Sequence, residues 1–265
     1  MILDQIAADT RLRVEAKKKE ISLEEVKRNA QSMEKNTGFP FEMALRKPDL
    51  SFICEVKKAS PSKGIIAEEF PYLQIAKEYD EAGADAISCL TEPKYFLGKD
   101  EYLKAIAKEV KIPVLRKDFV VDEYQIYEAK ILGASAVLLI CAILEEEQLK
   151  VYLQIAKELG LSALVEAHDE KEIKQAVRAG AKIIGVNNRN LKDFSVNVGN
   201  STNLRNFVPP ELLFVAESGI KGPEEIKALR KNKVDAVLIG ETMMRSPDKA
   251  KMLRFLKGEE YHEES

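Results

Sequence analysis

The chain has 265 residues, 45% hydrophobic and 32% charged, with a formal net charge of −3. That is apolar material for one large core or two small ones. The acidic balance argues against a nucleic-acid surface as the main partner, because such domains are usually basic, yet it leaves room for a local basic pocket.

The first 35 residues predict two helices, the second opening at the capping box Ser22-Leu-Glu-Glu25. The run Lys17-Lys-Lys19 is expected to be a solvated helix face. A turn at Gly38-Phe-Pro40 and a short segment to Leu45 come next, and Pro48-Asp49 leads into the first strand. Residues 1–48 therefore read as an N-terminal helical extension. The tail, residues 258–265, has no core-forming pattern and is expected to fray. The N-terminus carries no apolar signal segment and no apolar run reaches membrane-spanning length, so a cytoplasmic protein is expected.

Residues 49–257 alternate two kinds of apolar strand. Four end in charge: Phe52-Ile-Cys-Glu55-Val-Lys57, Pro113-Val-Leu-Arg-Lys117, Leu161-Ser-Ala-Leu-Val-Glu166 and Leu213-Phe-Val-Ala-Glu217. Between them fall four buried strands. Each comes after a residue suited to a left-handed turn, namely Gly83, Gly133, Gly180 and Asn232, at a spacing of roughly 50 residues. Helix starts are marked by Asp122 with Gln125, Asp169 with Glu172, Gly222-Pro223 and Ser246-Pro247, and Leu144 to Leu159 has helical periodicity. Eight strands alternating with helices in this length predict an α/β fold, a (β/α)8 TIM barrel with an N-terminal helical extension packed on it, one domain overall. Cys54, Cys89 and Cys141 lie inside apolar strands without metal-ligand spacing, which reads as buried reduced thiols.

An apolar strand has no need of a terminal Glu or Lys. In such barrels the chemistry sits at the C-terminal strand ends, so these charges converge at the mouth. Alternation puts Glu55 and Lys57 on the mouth face and Cys54 with Val56 on the other. Lys117 and Glu166 approach them, and proton transfer is the expected chemistry. The other reading is a salt-bridge network closing the barrel, a poor route to stability because desolvation offsets attraction. The turns Glu217-Ser218-Gly219 and Gly240-Glu241-Thr242 come after the last two strands, where barrels often bind phosphate. Glu241 would have to turn its side chain away. Asn187 and Arg189 suit hydroxyls and an anionic group. Phe96, Phe119 and Leu191 offer an apolar slot for a planar ring. The small polar loop Ala59 to Gly64, with Ser60, is a candidate lid. His168 and His262 are lone histidines, read as non-catalytic.

Glu55-Val-Lys57-Lys-Ala-Ser60-Pro61-Ser62 resembles the signature of the indole-3-glycerol phosphate synthase family. So do Leu115-Arg-Lys117-Asp-Phe119, Leu164-Val-Glu166, Gly185-Val-Asn187-Asn-Arg189-Asn-Leu191, Ala216-Glu217-Ser218-Gly219-Ile220 and Ile239-Gly240-Glu241. The resemblance spans nearly the whole chain. It implies a barrel whose N-terminal helices pack near the mouth, and a carboxy-lyase of tryptophan biosynthesis. The substrate would be 1-(2-carboxyphenylamino)-1-deoxyribulose 5-phosphate, closed to an indole with loss of carbon dioxide and water, without metal or organic cofactor. By the same resemblance Lys117 is the acid and Glu166 the base. Lys57 holds the substrate or shares the acid role, with Glu55 orienting it. Asn187 binds the sugar hydroxyls, and Arg189 the phosphate or carboxylate. Glu217 completes the polar wall, and Ser218 bonds a hydroxyl. Ser60, Gly219, Gly240 and the Glu241 backbone take phosphate, and Phe96, Phe119 and Leu191 flank the ring. Neighbouring ammonium groups are expected to lower each other's pKa. The chain is expected to act as a monomer, with other enzymes of the pathway open as partners.

Three rivals stand beside this. Phosphoribosylanthranilate isomerases use a Cys at the end of strand one, but here that end is Glu55-Val-Lys57. Two mouth lysines also suit a Schiff-base aldolase. A barrel that binds a phosphate ligand without turnover is the third.

Overall fold

The computed structural model describes residues 2–190 and 195–259. Two helices open the chain, α1 (Ile2–Glu20) and α2 (Leu23–Gln31), and a short α3 (Pro40–Leu45) comes next. Ser22 caps α2 by accepting from the Glu25 N–H, as the sequence predicts. The barrel strands are β1 (Ser51–Val56), β2 (Ala86–Leu90), β3 (Val114–Lys117), β4 (Ala136–Ile140), β5 (Ser162–Ala167), β6 (Ile183–Asn187), β7 (Leu213–Glu217) and β8 (Ala236–Ile239). All neighbours are parallel, and β1 pairs with β8 to close the ring. The outer helices are α4 (Tyr72–Glu81), α5 (Asp100–Glu109), α6 (Tyr124–Ile131), α7 (Glu146–Glu158), α8 (Glu170–Ala179), α9 (Gly199–Leu204), α10 (Pro223–Lys231), α11 (Glu241–Arg245) and α12 (Lys249–Lys257). Among the described residues no helix is long and apolar enough to cross a membrane.

Alternation along each strand sorts the core into two shells. Ile53, Ala86, Leu115, Leu138, Leu164, Val215 and Leu238 fill the barrel, while Cys54, Cys89, Val137 and Val165 pack outward with the helices. Phe41 and Leu45 of α3 join the inner shell, and Ser51 and Ser162, which open β1 and β5, bond the α3 backbone. The N-terminal end of the barrel is thereby plugged, and ligand access is left to the other end.

Several local expectations shift. Lys57 lies one residue past β1, and Ala167 rather than Glu166 ends β5. Gly83, Gly133 and Gly180 take positive φ as expected, but Asn232 does not; Lys233 does so, with φ of 54°. The Asn232 side chain instead bonds the Ala228 carbonyl and extends the helix end. Pro247 precedes the α12 cap Asp248 rather than entering the first turn. Asp169 caps α8 as expected, accepting from the Glu172 N–H at 2.9 Å, but the return bonds slip by one residue: Gln125 accepts from the Val121 N–H, and Glu172 from the His168 N–H.

The lysine run of α1 is not a solvated face. Lys17 pairs with Asp100 and Glu128, and Lys18 lies 2.7 Å from Asp122; only Lys19 is exposed. Arg13 adds a 2.8 Å bridge to Asp118, the residue after Lys117. Barrel acids between β2 and α6 recruit these cations, and that clamps α1 beside the mouth. Such acids are distant in sequence, so local charge patterning does not reveal them.

Candidate active site

The four charge-tipped strands are the odd-numbered ones, and alternate strands contribute one layer of side chains to a barrel interior. Glu55, Lys117, Glu166 and Glu217 are therefore one ring at the mouth, above the Leu115, Leu164 and Val215 layer. Lys117 Nζ donates to Glu217 Oε2 at 2.8 Å and to Glu166 Oε2 at 3.1 Å. Lys57 Nζ lies 2.5 Å from Glu55 Oε1, whose partner oxygen accepts from Ser88 at 3.3 Å. Side-chain exposure is 13% for Lys117 and 2–4% for the three glutamates, so water screens these pairs weakly.

The electrostatics differ from residue to residue. Burial acts to lower the Lys117 pKa, but the carboxylates of Glu217, Glu166 and Glu55 outweigh it, and the pKa is raised. The expected mutual lowering of the lysines does not hold for Lys117, because its contacts are carboxylates and Lys57 is paired with Glu55. Burial also dominates for Glu217. Lys117 opposes it, the charges of Glu166 and Glu55 add to it, and the carboxyl is pushed up to about 7. Glu166 goes the other way: burial raises it, yet Lys117, His168 and a hydrogen bond from Asn187 hold it below the usual range. Two buried carboxyls on one ammonium thus separate into a proton carrier and a committed anion.

A cavity of about 1000 Å³ opens above this ring. Phe96 and Phe119 stand on one side, ring centroids 6.0 Å apart, with Leu3 and Ile6 of α1 also on the wall. The Glu92 carboxylate accepts from the N–H groups of Lys94, Tyr95 and Phe96, which fixes the loop bearing Phe96. Leu191 lies outside the described residues. On the opposite side come Ser60, Ser218, Gly219, Gly240 and Glu241. The Ser60 loop is a tight antiparallel hairpin, Ala59–Ser60 against Gly64–Ile65. The Glu241 carboxylate pairs with Arg245 at 3.1 Å and Lys63 at 3.6 Å, both of which also line the cavity. A Cβ on Gly240 would come within 2.5 Å of Glu55 Oε1 and 2.8 Å of Lys57 Nζ, so a side chain there would displace this ion pair. Asn187 accepts from the Arg189 N–H at 3.0 Å, and both line the cavity.

A family model for indole-3-glycerol phosphate synthase matches residues 3–256. The chain belongs to this family. It is 58% identical over 258 residues to the indole-3-glycerol phosphate synthase of Ruminiclostridium cellulolyticum, covering 97% of this chain and 99% of that one. It is 55% identical over 257 residues to that of Endomicrobium trichonymphae, covering 97% and 100%. In fold alone it is similar to a 3-hexulose-6-phosphate synthase, with TM-score 0.64, 15% identity, and 79% and 99% of the two chains covered.

In this indole-3-glycerol phosphate synthase family member the predicted residues among those described gather at one mouth, whereas Cys54, the strand-one cysteine weighed for an isomerase, packs outward. Burial pushes its thiol up to about 12. Sequence reading misses three contributors. Gly185 on β6 faces Glu217, and a Cβ there would collide with Glu217 Oε1. Asn188 donates to the Ser218 carbonyl at 3.1 Å and accepts from Ser201, holding Ser218 at φ 69° in the left-handed region. His168, which reads as a lone histidine in the sequence, has Nε2 3.4 Å from Glu166 Oε1 and Nδ1 3.1 Å from Glu172 Oε2. Its signal is the i, i+2 alternation that already pairs Glu55 with Lys57.

Proposed function

We propose that this chain is an indole-3-glycerol phosphate synthase, a cytoplasmic enzyme that closes the indole ring of 1-(2-carboxyphenylamino)-1-deoxyribulose 5-phosphate. The observation that carries the reading is the Lys117 ammonium held between Glu166 and Glu217, with aromatic side chains on one flank and the Ser218-Gly219 and Gly240-Glu241 turns on the other.

The aromatic carbon bearing the carboxylate attacks the ketone, and Lys117 delivers a proton to the alkoxide. The carboxylate leaves as carbon dioxide, and its bonding pair restores the aromatic ring. The new hydroxyl then departs with a proton as water, while Glu166 takes a proton from the neighbouring methylene carbon to complete the pyrrole ring. An anionic, ordered Glu166 suits the base role, and Lys117 stays an ammonium with a proton to give, although its raised pKa reduces the driving force for giving it. Decarboxylation consumes one proton net per turnover. Glu217, in contact with Lys117 and titrating near neutrality, is placed to restock it.

Lys57, beside Gly240, grips the sugar hydroxyls, and Glu55 sets its position. Asn187 adds to the hydroxyl contacts, Arg189 meets the anionic end, and Ser60 with the two glycine turns takes the phosphate. Phe96 and Phe119 flank the substrate ring. Every group named comes from one barrel, so one chain suffices for activity. Mixing the protein with the carboxyphenylamino-deoxyribulose phosphate tests the reading. Indole fluorescence should appear with one carbon dioxide per product, against a chain that holds no Trp. Substrate left intact at saturating concentration would overturn it.

A further inference from the structure

His168 stands two residues beyond Glu166, just past the end of β5, and its ring lies against the Glu166 carboxylate. The ring is 21% exposed and lies between two carboxylates on different elements. Its Nδ1 is 3.1 Å from Glu172 Oε2, an oxygen that also accepts the His168 backbone N–H at 2.8 Å. Its Nε2 is buried, 3.4 Å from Glu166 Oε1, and makes no hydrogen bond among the described residues. The other Glu166 oxygen accepts from Lys117. A buried ring nitrogen left without a hydrogen bond is costly. A ring with carboxylate oxygens at both nitrogens is most stable with both protonated, as the imidazolium.

We propose that His168 is a positioning residue for the ring-closing reaction: as an imidazolium bridging Glu172 of α8 to Glu166 of β5, it fixes one oxygen of Glu166 and presents the other to Lys117. The inference rests on Glu166 being the base. Burial acts to lower the ring's pKa, but the Glu172 hydrogen bond and the charges of Glu166, Glu172 and Glu217 outweigh it, and the pKa is raised. The groups facing the ring come from every side. Glu166 lies on β5, which ends one residue before His168, Glu172 and the cap Asp169 belong to α8, and Glu217 lies on β7. Cys141 after β4 donates its thiol to the Glu172 carbonyl. The nearest cation across Glu166 is Lys117. Removing the imidazolium takes away one of the charges that keep Glu166 ionised, so Glu166 would stay protonated to higher pH.

The test is the pH profile of kcat for the full chain, its His168→Asn, His168→Lys, Glu172→Gln and Glu166→Gln variants. His168→Asn should move the acid limb up by about one pH unit, the effect of losing one nearby opposite charge. Below that limb kcat should fall about tenfold, while KM stays within about twofold. His168→Lys, which keeps a cation there, should return the limb toward its original position. A purely structural role would lower the melting temperature without moving the limb. Should His168→Asn fail to fold, Glu172→Gln takes its place: it weakens the imidazolium and should shift the limb the same way. An unmoved limb in whichever of these variants folds overturns the proposal. An inactive Glu166→Gln beside an unmoved limb overturns His168 alone, whereas an active Glu166→Gln overturns the base assignment beneath it.

Discussion

Glu217 Oε1 occupies the place where a side chain on Gly185 would begin. Gly185 of β6 pairs with Val215 of β7, two residues before Glu217, and the missing Cβ is what lets a buried carboxyl lie under Lys117. Gly185→Ala should cost about 1–3 kcal/mol of stability, the usual range for overpacking. It should also push Glu217 off Lys117 and lower kcat more than it raises KM. Thermal melts and steady-state kinetics on the one variant check both. An alanine enzyme with unchanged kcat would show that the Glu217 position is immaterial to turnover.

The Glu217 carboxyl sets a second expectation, in stability. Its pKa rises from 4.5 to about 7 on folding. Between those values the folded chain holds more of this proton than the unfolded chain does. Stability from this group is therefore present at low pH and declines as pH rises through the window. Glu217→Gln removes the titration. The melting temperature of Glu217→Gln relative to the parent should climb from pH 5 to pH 7.5, and a flat difference would contradict the assignment.

The Ser218 turn is held from outside the cavity. Asn188 is 3% exposed and bonds the Ser218 carbonyl and Ser201 together. Asn188→Ala should loosen the turn and raise KM roughly fivefold to tenfold with kcat within about twofold, the pattern of lost uniform binding. Inhibition by inorganic phosphate should weaken in parallel. A kcat effect without a KM effect would place Asn188 in the chemistry instead.

The ring of charge was legible because strand periodicity and strand-end position are local properties. Glu55, Lys117, Glu166 and Glu217 each read as a residue that an apolar strand should reject, and the barrel brings all four to one layer. The two glycine turns were legible for the same reason. What escaped was set by partners far along the chain. Arg116, next to Lys117, faces outward into Asp100, Asp118 and Glu128, and is 1% exposed. Lys17 and Lys18 find acids more than a hundred residues away in Glu128 and Asp122. Gly185 looks like any strand glycine until β7 lies beside it. The direction of the Lys117 shift also depended on contacts, since the sequence suggests an ammonium neighbour and the barrel supplies carboxylates.

The central claim is that Lys117 gives the proton and Glu166 takes one. The most direct measurement is single-turnover indole fluorescence for Lys117→Ala and Glu166→Gln, with circular dichroism confirming the fold. Each variant should lose at least about a hundredfold in rate, the scale of a positioned acid or base. Near-parental rates in both folded variants would contradict the account.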